Sequence, residues 1–205
     1  MKNSLYSNRN IIAIDLKSFF ASVECTQRGL DPFTTALVVC DPIRNGAITL
    51  AVTPFLKNLG VPSRGRAYDL PKNIKIFKAP PRMSLYIQKS REVLSIYLEY
   101  VAKEDIHVYS IDEVFLDVTD YLHMYNMTDY ELAQTIINDI KKRTGLTTTA
   151  ELVQIYYLLK SRWILKLNTF KITLLNGLMM MLKLNYGLSL PYQKCGALGL
   201  AWNVI

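Results

Sequence analysis

YSIDEVFLD, residues 109–117, decides how the rest of the chain is read. Val114, Phe115 and Leu116 are apolar strand-formers, the mark of a segment built for burial. Yet Asp112 and Glu113 stand side by side at its start, and Asp117 closes it. Leaving a charge buried and unpaired costs on the order of several kcal/mol. Adjacent carboxylates here therefore need a wet sheet edge or a compensating cation.

A second carboxylate has a similar setting. NIIAIDL (10–16) is a short apolar run that fits a buried strand, with Asp15 near its end. Strand ends are where a rigid scaffold presents functional groups. If the two strands are neighbours, Asp15, Asp112 and Glu113 meet. An all-oxygen set of this kind suits a hard cation such as Mg²⁺. Two such ions about 4 Å apart clamp the attacking and leaving oxygens of phosphoryl transfer. His107 falls in a strand and His123 in a loop, so neither competes for the role. Taken singly, each acid also reads as a solvated strand-end carboxylate paired with a lysine.

Working outward, SFFASVECTQRG (18–29) reads as a helix with Ser18 as N-cap and Gly29 as stop. TALVVCD (35–41), GAITLAV (46–52) and IKIFKA (74–79) read as strands. TPFLKNLGV (53–61) reads as a short helix with Thr53 as cap, Pro54 first and Gly60 last. Residues 83–104 form the clearest amphipathic helix, with Leu85, Val93, Ile96, Leu98, Tyr100 and Val101 as its apolar stripe. IHVYSI (106–111) and EVFLDV (113–118) read as two paired strands or one kinked strand, YELAQTIINDIKKRTG (130–145) is a helix stopped by Gly145, and LTTTA (146–150) begins another strand. This order predicts an α+β fold, with helices on one face of a mainly antiparallel sheet.

Composition bounds the rest. At 205 residues with 50% hydrophobic and 20% charged residues, the chain is globular in type. No signal peptide and no uninterrupted apolar run of membrane-spanning length is present. Cys25, Cys40 and Cys195 are odd in number and lack CxxC spacing, which argues for a reducing, cytoplasmic setting. The net charge of +7 is unevenly spread. Residues 151–205 hold six Lys/Arg against one acid, and residues 1–150 hold 18 against 16. The basic balance is thus weak support for nucleic-acid binding by the first 150 residues.

IDLKSFFASVE (14–24) and YSIDEVFLD (109–117) resemble two signature motifs of the Y-family translesion DNA polymerases, in the UmuC-like (ImpB/MucB/SamB) branch. AVTPFLKNLGV (51–61), between them, resembles the fingers segment of that family, and the likeness covers roughly 10–150. The resemblance implies a polymerase palm from 1–30 and 80–150, with a fingers insertion at 31–79. It implies Asp15, Asp112 and Glu113 as catalytic metal ligands, with the backbone carbonyl of Leu16 also facing a metal. Phe20 matches the aromatic gate that crowds a ribose 2′-OH. Phe19 adjoins the nucleotide but has core packing as its plainer role. Lys57 stands where the family usually has Arg to reach the triphosphate; a solvated helix lysine is the plain alternative. Pro54 replaces a phosphate-contacting Tyr of some members, and Arg64 and Arg66 read equally as a basic loop. The implied cofactors are two Mg²⁺ ions, with Mn²⁺ as substitute. The implied partners are primer-template DNA and dNTPs, with a sliding clamp or accessory proteins in the full-length family and no membrane. The implied activity is error-prone synthesis past lesions in DNA repair and SOS-type damage tolerance. Two alternatives stand beside it: a catalytically dead partner-binding palm, and another palm-type nucleotidyl enzyme such as a cyclase. FFASVE and the insertion argue against the cyclase.

After Ala150 the pattern breaks, where the family continues with a G-I-G-x-N motif, a thumb and a little finger. ELVQIY (151–156) can be coded so that reading one base earlier spells GIGTNL. The same shift turns 162–165 into AMDI and 194–199 into MWGIG. The expectation is a truncated, inactive polymerase whose residues 151–205 are an out-of-frame tail, leaving a palm strand missing and a sheet edge open.

Overall fold

The computed structural model describes residues 6–44, 46–158, 168–175 and 178–185, with side chains described from 9 to 152 apart from 45. The first half runs β1 (Tyr6–Leu16), α1 (Phe19–Thr26), β2 (Leu37–Val39), β3 (Ala51–Val52), α2 (Pro54–Asn58), β4 (Phe77–Ala79) and α3 (Met83–Tyr97). It continues with β5 (Ile106–Val108), β6 (Glu113–Asp117), α4 (Tyr121–Tyr125), α5 (Asp129–Thr144), β7 (Thr148–Leu158), β8 (Asn168–Leu175) and β9 (Leu178–Asn185).

The larger sheet has the order β5-β6-β1-β7-β8-β9, and every neighbouring pair is antiparallel. Its register follows from period-two patterning. Ile12 lies between Leu116 and Leu152, and Ile14 between Val114 and Ala150; all six are buried. These positions face one core together with Phe19 and Val23 of α1, Tyr86, Val93 and Ile96 of α3, and Leu132, Ile136 and Ile140 of α5. Fully burying one such side chain contributes about 1.5–3 kcal/mol. The result is the α+β arrangement expected, with the helix layer against the even-numbered face of β1.

The smaller sheet has the order β3-β2-β4 and covers a second core of Val38, Cys40, Ala47, Val52, Leu56, Val61 and Ala67. Alternation along β2 joins the two cores, since Leu37 and Val39 belong to the larger one. Here β4 runs parallel to β2, a departure from the antiparallel expectation.

Several local expectations change. The helix expected over 83–104 stops at Tyr97, and a 3-10 turn follows at Lys103–Asp105. Leu98 is 46% exposed while Val101 is buried, so the apolar residues after Tyr97 do not keep one helical face. Tyr86 and Tyr97 fill core positions that the expected stripe omitted. Ser18 and Thr53 occupy N-cap positions without capping through their side chains. Thr53 instead bridges to the strand beside it: its Oγ1 donates to the Thr35 carbonyl at 2.8 Å and accepts from the Leu37 N–H at 3.3 Å.

The strand expected to be missing is filled. β7 passes straight through the break at Ala150 and pairs with β1 along its length, and β8 covers its other side. Ladder hydrogen bonds join backbones, so pairing tolerates a change of side chains. Thr148, Ala150 and Leu152 keep the core-facing alternation two residues past the break. The remainder of the expected tail, 159–167, 176–177 and 186–205, lies outside the described residues.

Candidate active site

The register of β1 and β6 sets Asp15 directly across from Glu113. The Leu16 N–H donates to the Asp112 carbonyl at 2.9 Å, which fastens the turn before β6 to the end of β1. Asp15 and Glu113 are half-buried and occupy odd positions, on the sheet face away from the helices. Ser110 shapes the turn: its hydroxyl donates to Asp112 Oδ1 at 2.8 Å and accepts from the Glu113 N–H at 3.1 Å. Asp117 has a different task. It pairs with Arg9 at 2.9 Å and accepts from the Thr119 hydroxyl at 2.6 Å, which closes β6 structurally.

Like charges opposite each other on a sheet are destabilising. Burial, and then the neighbouring Asp112 charge, push the Glu113 carboxyl above its ordinary range. The register thus sets the three backbone positions at one end of the paired strands. Among the described residues, no group of three or more His, Cys, Asp or Glu is arranged to hold a metal ion.

The chain leaves β1 through Lys17 and Ser18 into α1. Ser18 adopts a left-handed backbone (φ 51°), uncommon for a residue with a side chain, and its buried hydroxyl has no partner. Phe20, next on the helix, is half-buried, and its ring stacks on Tyr86 with centroids 4.5 Å apart and planes 17° apart. Phe19 is 3% exposed and belongs to the core, which leaves only its backbone to meet a ligand. Lys57, on α2, is half-buried. Burial lowers its pKa most, Asp15 opposes that shift, and Lys17 adds to it. The electrostatic coupling of Lys57 to Asp15 links the two sheets at this point. Arg66 is spent on its own loop, donating to the Gly46 carbonyl at 3.0 Å. The described structure gives Arg64 no hydrogen bond or ion pair.

One group went unread in the sequence. Glu24 is fully buried in α1. Arg82 donates to it twice, Nε to Oε1 at 3.0 Å and Nη2 to Oε2 at 2.7 Å. The Tyr86 hydroxyl donates to Oε1 at 2.8 Å, and Arg28 Nη1 pairs with Oε2. Burial alone would raise this carboxyl's pKa; Arg82, Arg28 and Tyr86 together hold it below the ordinary range. A signal was present in Arg28, four residues along the chain. Arg82 was not visible because it arrives from 58 residues away.

A family model described as the impB/mucB/samB family matches residues 14–151. UvrX of Bacillus subtilis (strain 168), a protein named for UV-damage repair, is 38% identical over 148 residues, which are 71% of this chain and 34% of UvrX. DNA polymerase IV of Desulfotalea psychrophila (strain LSv54 / DSM 12343) is 35% identical over 146 residues, 69% of this chain and 37% of that protein. Among solved structures, DinB from Sulfolobus solfataricus superposes with a TM-score of 0.59 at 26% identity, over 70% of this chain and 41% of that one. The chain therefore spans about a third of the length of these curated relatives.

Proposed function

The chain belongs to the impB/mucB/samB family, and on that premise we propose that residues 6–152 form the nucleotide-binding catalytic half of a Y-family translesion DNA polymerase. The observation that carries this reading is Asp15 set across from Glu113, with Asp112 fastened to the same strand end. In this reading residues 1–30 and 80–150 are palm and 31–79 are fingers, which agrees with the two sheets and their separate cores. Primer-template DNA and a dNTP are the partners. The setting is the cytoplasm, in keeping with the free buried thiols of Cys25 and Cys40. No helix among the described residues is long and apolar enough to cross a membrane.

The donor chemistry fits magnesium: three carboxylates and the Leu16 carbonyl, all oxygen. When bound, two Mg²⁺ ions would lower the pKa of the primer 3′-hydroxyl and neutralise the triphosphate. The chain's residues do the rest. Asp15 and Asp112 supply negative charge from two strands held in register, and Glu113 presents its carboxylate toward the primer terminus. Lys57 offers a point charge to the triphosphate, without the fork an arginine would bring. The backbone N–H groups that open α1 offer further donors to phosphate. Phe20 stands where a 2′-OH would press, which favours deoxynucleotides.

Calorimetric titration with Mn²⁺ and dATP tests this, comparing the parent with Asp112→Ala. Binding that is lost on substitution bears the reading out; equal binding by both overturns it. A metal-free binding module is the second reading, favoured by the Asp112 carboxylate accepting from the Ser110 hydroxyl at 2.8 Å, a partner that needs no metal. Absence of Mn²⁺ binding in the parent would decide for it. These 205 residues alone are not expected to extend a primer, because duplex grip rests on many phosphate contacts. Robust extension with Mg²⁺ and four dNTPs would overturn that expectation.

A further inference from the structure

Glu24 sits where the chain crosses between its two sheets. Arg28 lies on the outgoing segment, just after α1, and its guanidinium stands over the Phe77 ring of β4 at 5.3 Å. Arg82 lies on the returning segment, immediately before α3 and three residues after β4. Both arginines close on the same buried carboxylate. One buried carboxylate thus ties the segments that leave for and return from the inserted sheet. It also fixes Tyr86, which is fully buried, by accepting from its hydroxyl at 2.8 Å. The other face of that tie is Phe20, stacked on the Tyr86 ring at 4.5 Å, with Phe19 edge-on to Tyr86 at 6.5 Å.

We propose that Glu24 is a positioning residue for Phe20: clamped by Arg28 and Arg82, it pins the Tyr86 ring as a rigid floor beneath Phe20 and so sets how strictly the site rejects a ribose. The inference rests on reading Phe20 as the sugar gate. A gate excludes only if it cannot yield, and a ring backed by open space would rotate away from an incoming hydroxyl. Backed by Tyr86, Phe20 can move toward the core only if Tyr86 moves too. Tyr86 is tied at its far end to a carboxylate with four donors. The arginines also make the floor continuous with the second sheet, so a shift of that sheet would be felt at Phe20.

Two readouts on the full chain test this. The first is the aromatic ¹H–¹³C spectrum of Phe20 in the parent and in Glu24→Gln, which leaves Oε1 as an acceptor but removes the charge that holds both arginines. The expected result is a displaced Phe20 signal and faster ring flipping; an unchanged signal overturns the proposal. The second is the ratio of ATP to dATP dissociation constants with Mn²⁺. In Glu24→Gln and in Tyr86→Phe the ratio should fall by about fivefold, the net worth of one hydrogen bond, through tighter ATP binding with dATP held constant. A role confined to stability would weaken both nucleotides alike and keep the ratio, which also overturns the proposal. If Glu24→Gln does not fold, Tyr86→Phe carries both readouts, since it deletes one oxygen and keeps the ring. If the parent binds neither nucleotide, the polymerase reading fails, and the Phe20 spectrum still decides the positioning claim.

Discussion

At the level of single residues, two acids in this molecule, Glu24 fully buried and Glu113 half-buried, obey opposite rules. Glu24 has three partners and a pKa held below the ordinary value of 4.5. Such a group binds its proton less tightly folded than unfolded. Its contribution is therefore complete above about pH 4.5 and is lost as pH falls through the folded value. Glu113 is raised instead, by burial first and the Asp112 charge second. It binds its proton more tightly when folded, so stability falls as pH climbs from 4.5 through the raised value. Urea denaturation of three chains at pH 7 and pH 4 separates them. Glu24→Gln should lose about 2 kcal/mol at pH 7, less than a fully buried pair would, because Arg82 keeps 44% of its exposure. That loss should shrink toward pH 4. Glu113→Gln should gain about 0.5 kcal/mol at pH 7 in metal-free buffer, the scale of one opposed like-charge pair. A loss for Glu113→Gln would mean its carboxylate is satisfied in a way the register of β1 and β6 does not reveal.

Single elements were legible to the degree that their signals were local. α5 was readable because its stop is local: Gly145 is left-handed at φ 73°, as a helix-ending glycine should be. Its start carries a reciprocal capping box, with Thr128 accepting from the Glu131 N–H and Glu131 accepting from the Thr128 N–H. Thr128→Ala should therefore cost about 1 kcal/mol, measured as a lowered denaturation midpoint at unchanged slope. Gly145→Ala should cost about 1–2 kcal/mol for its backbone. A Cβ there would also stand 3.3 Å from Thr26 Cγ2, tying this helix end to α1. Where tertiary partners decide, the sequence misled. Ser18 and Thr53 have the right identity for caps, but Thr53 is drawn off to the neighbouring strand. The strand-end positions of Asp15, Asp112 and Glu113 were legible because strand ends are local; that β1 and β6 pair with Asp15 across from Glu113 was not, because register is set between strands. The same limit hid Arg82 and Tyr86, whose roles exist only once α3 lies against α1.

For the molecule as a whole, the question is what residues 151–205 are. The family match ends at residue 151, one position after the pattern breaks. Six of the 24 Lys/Arg lie in residues 151–205 against one acid, so the net charge of +7 says little about what the site binds. That this stretch is read out of frame is a proposal, and the bridging of the break by β7 does not choose between the frames. Read one base earlier, residue 152 would be isoleucine within a Gly-Ile-Gly run. In the present chain Leu152 fills the same core-facing position at 3% exposure, across from Ile12. Either frame therefore extends the strand, because its pairing is carried by backbone and its burial by one aliphatic side chain. The gene decides between them. Its sequence should contain, after one added base near codon 150, an open frame that spells a Gly-Ile-Gly-Thr-Asn continuation. Without such a frame, 151–205 is the native sequence and the idea fails. With it, the repaired gene's product should extend a primer with Mg²⁺ and four dNTPs under conditions where the 205-residue chain does not. The Asp112→Ala variant of the repaired product should not extend it. Equal extension by repaired and unrepaired chains would show that the catalytic half grips DNA without the restored sequence.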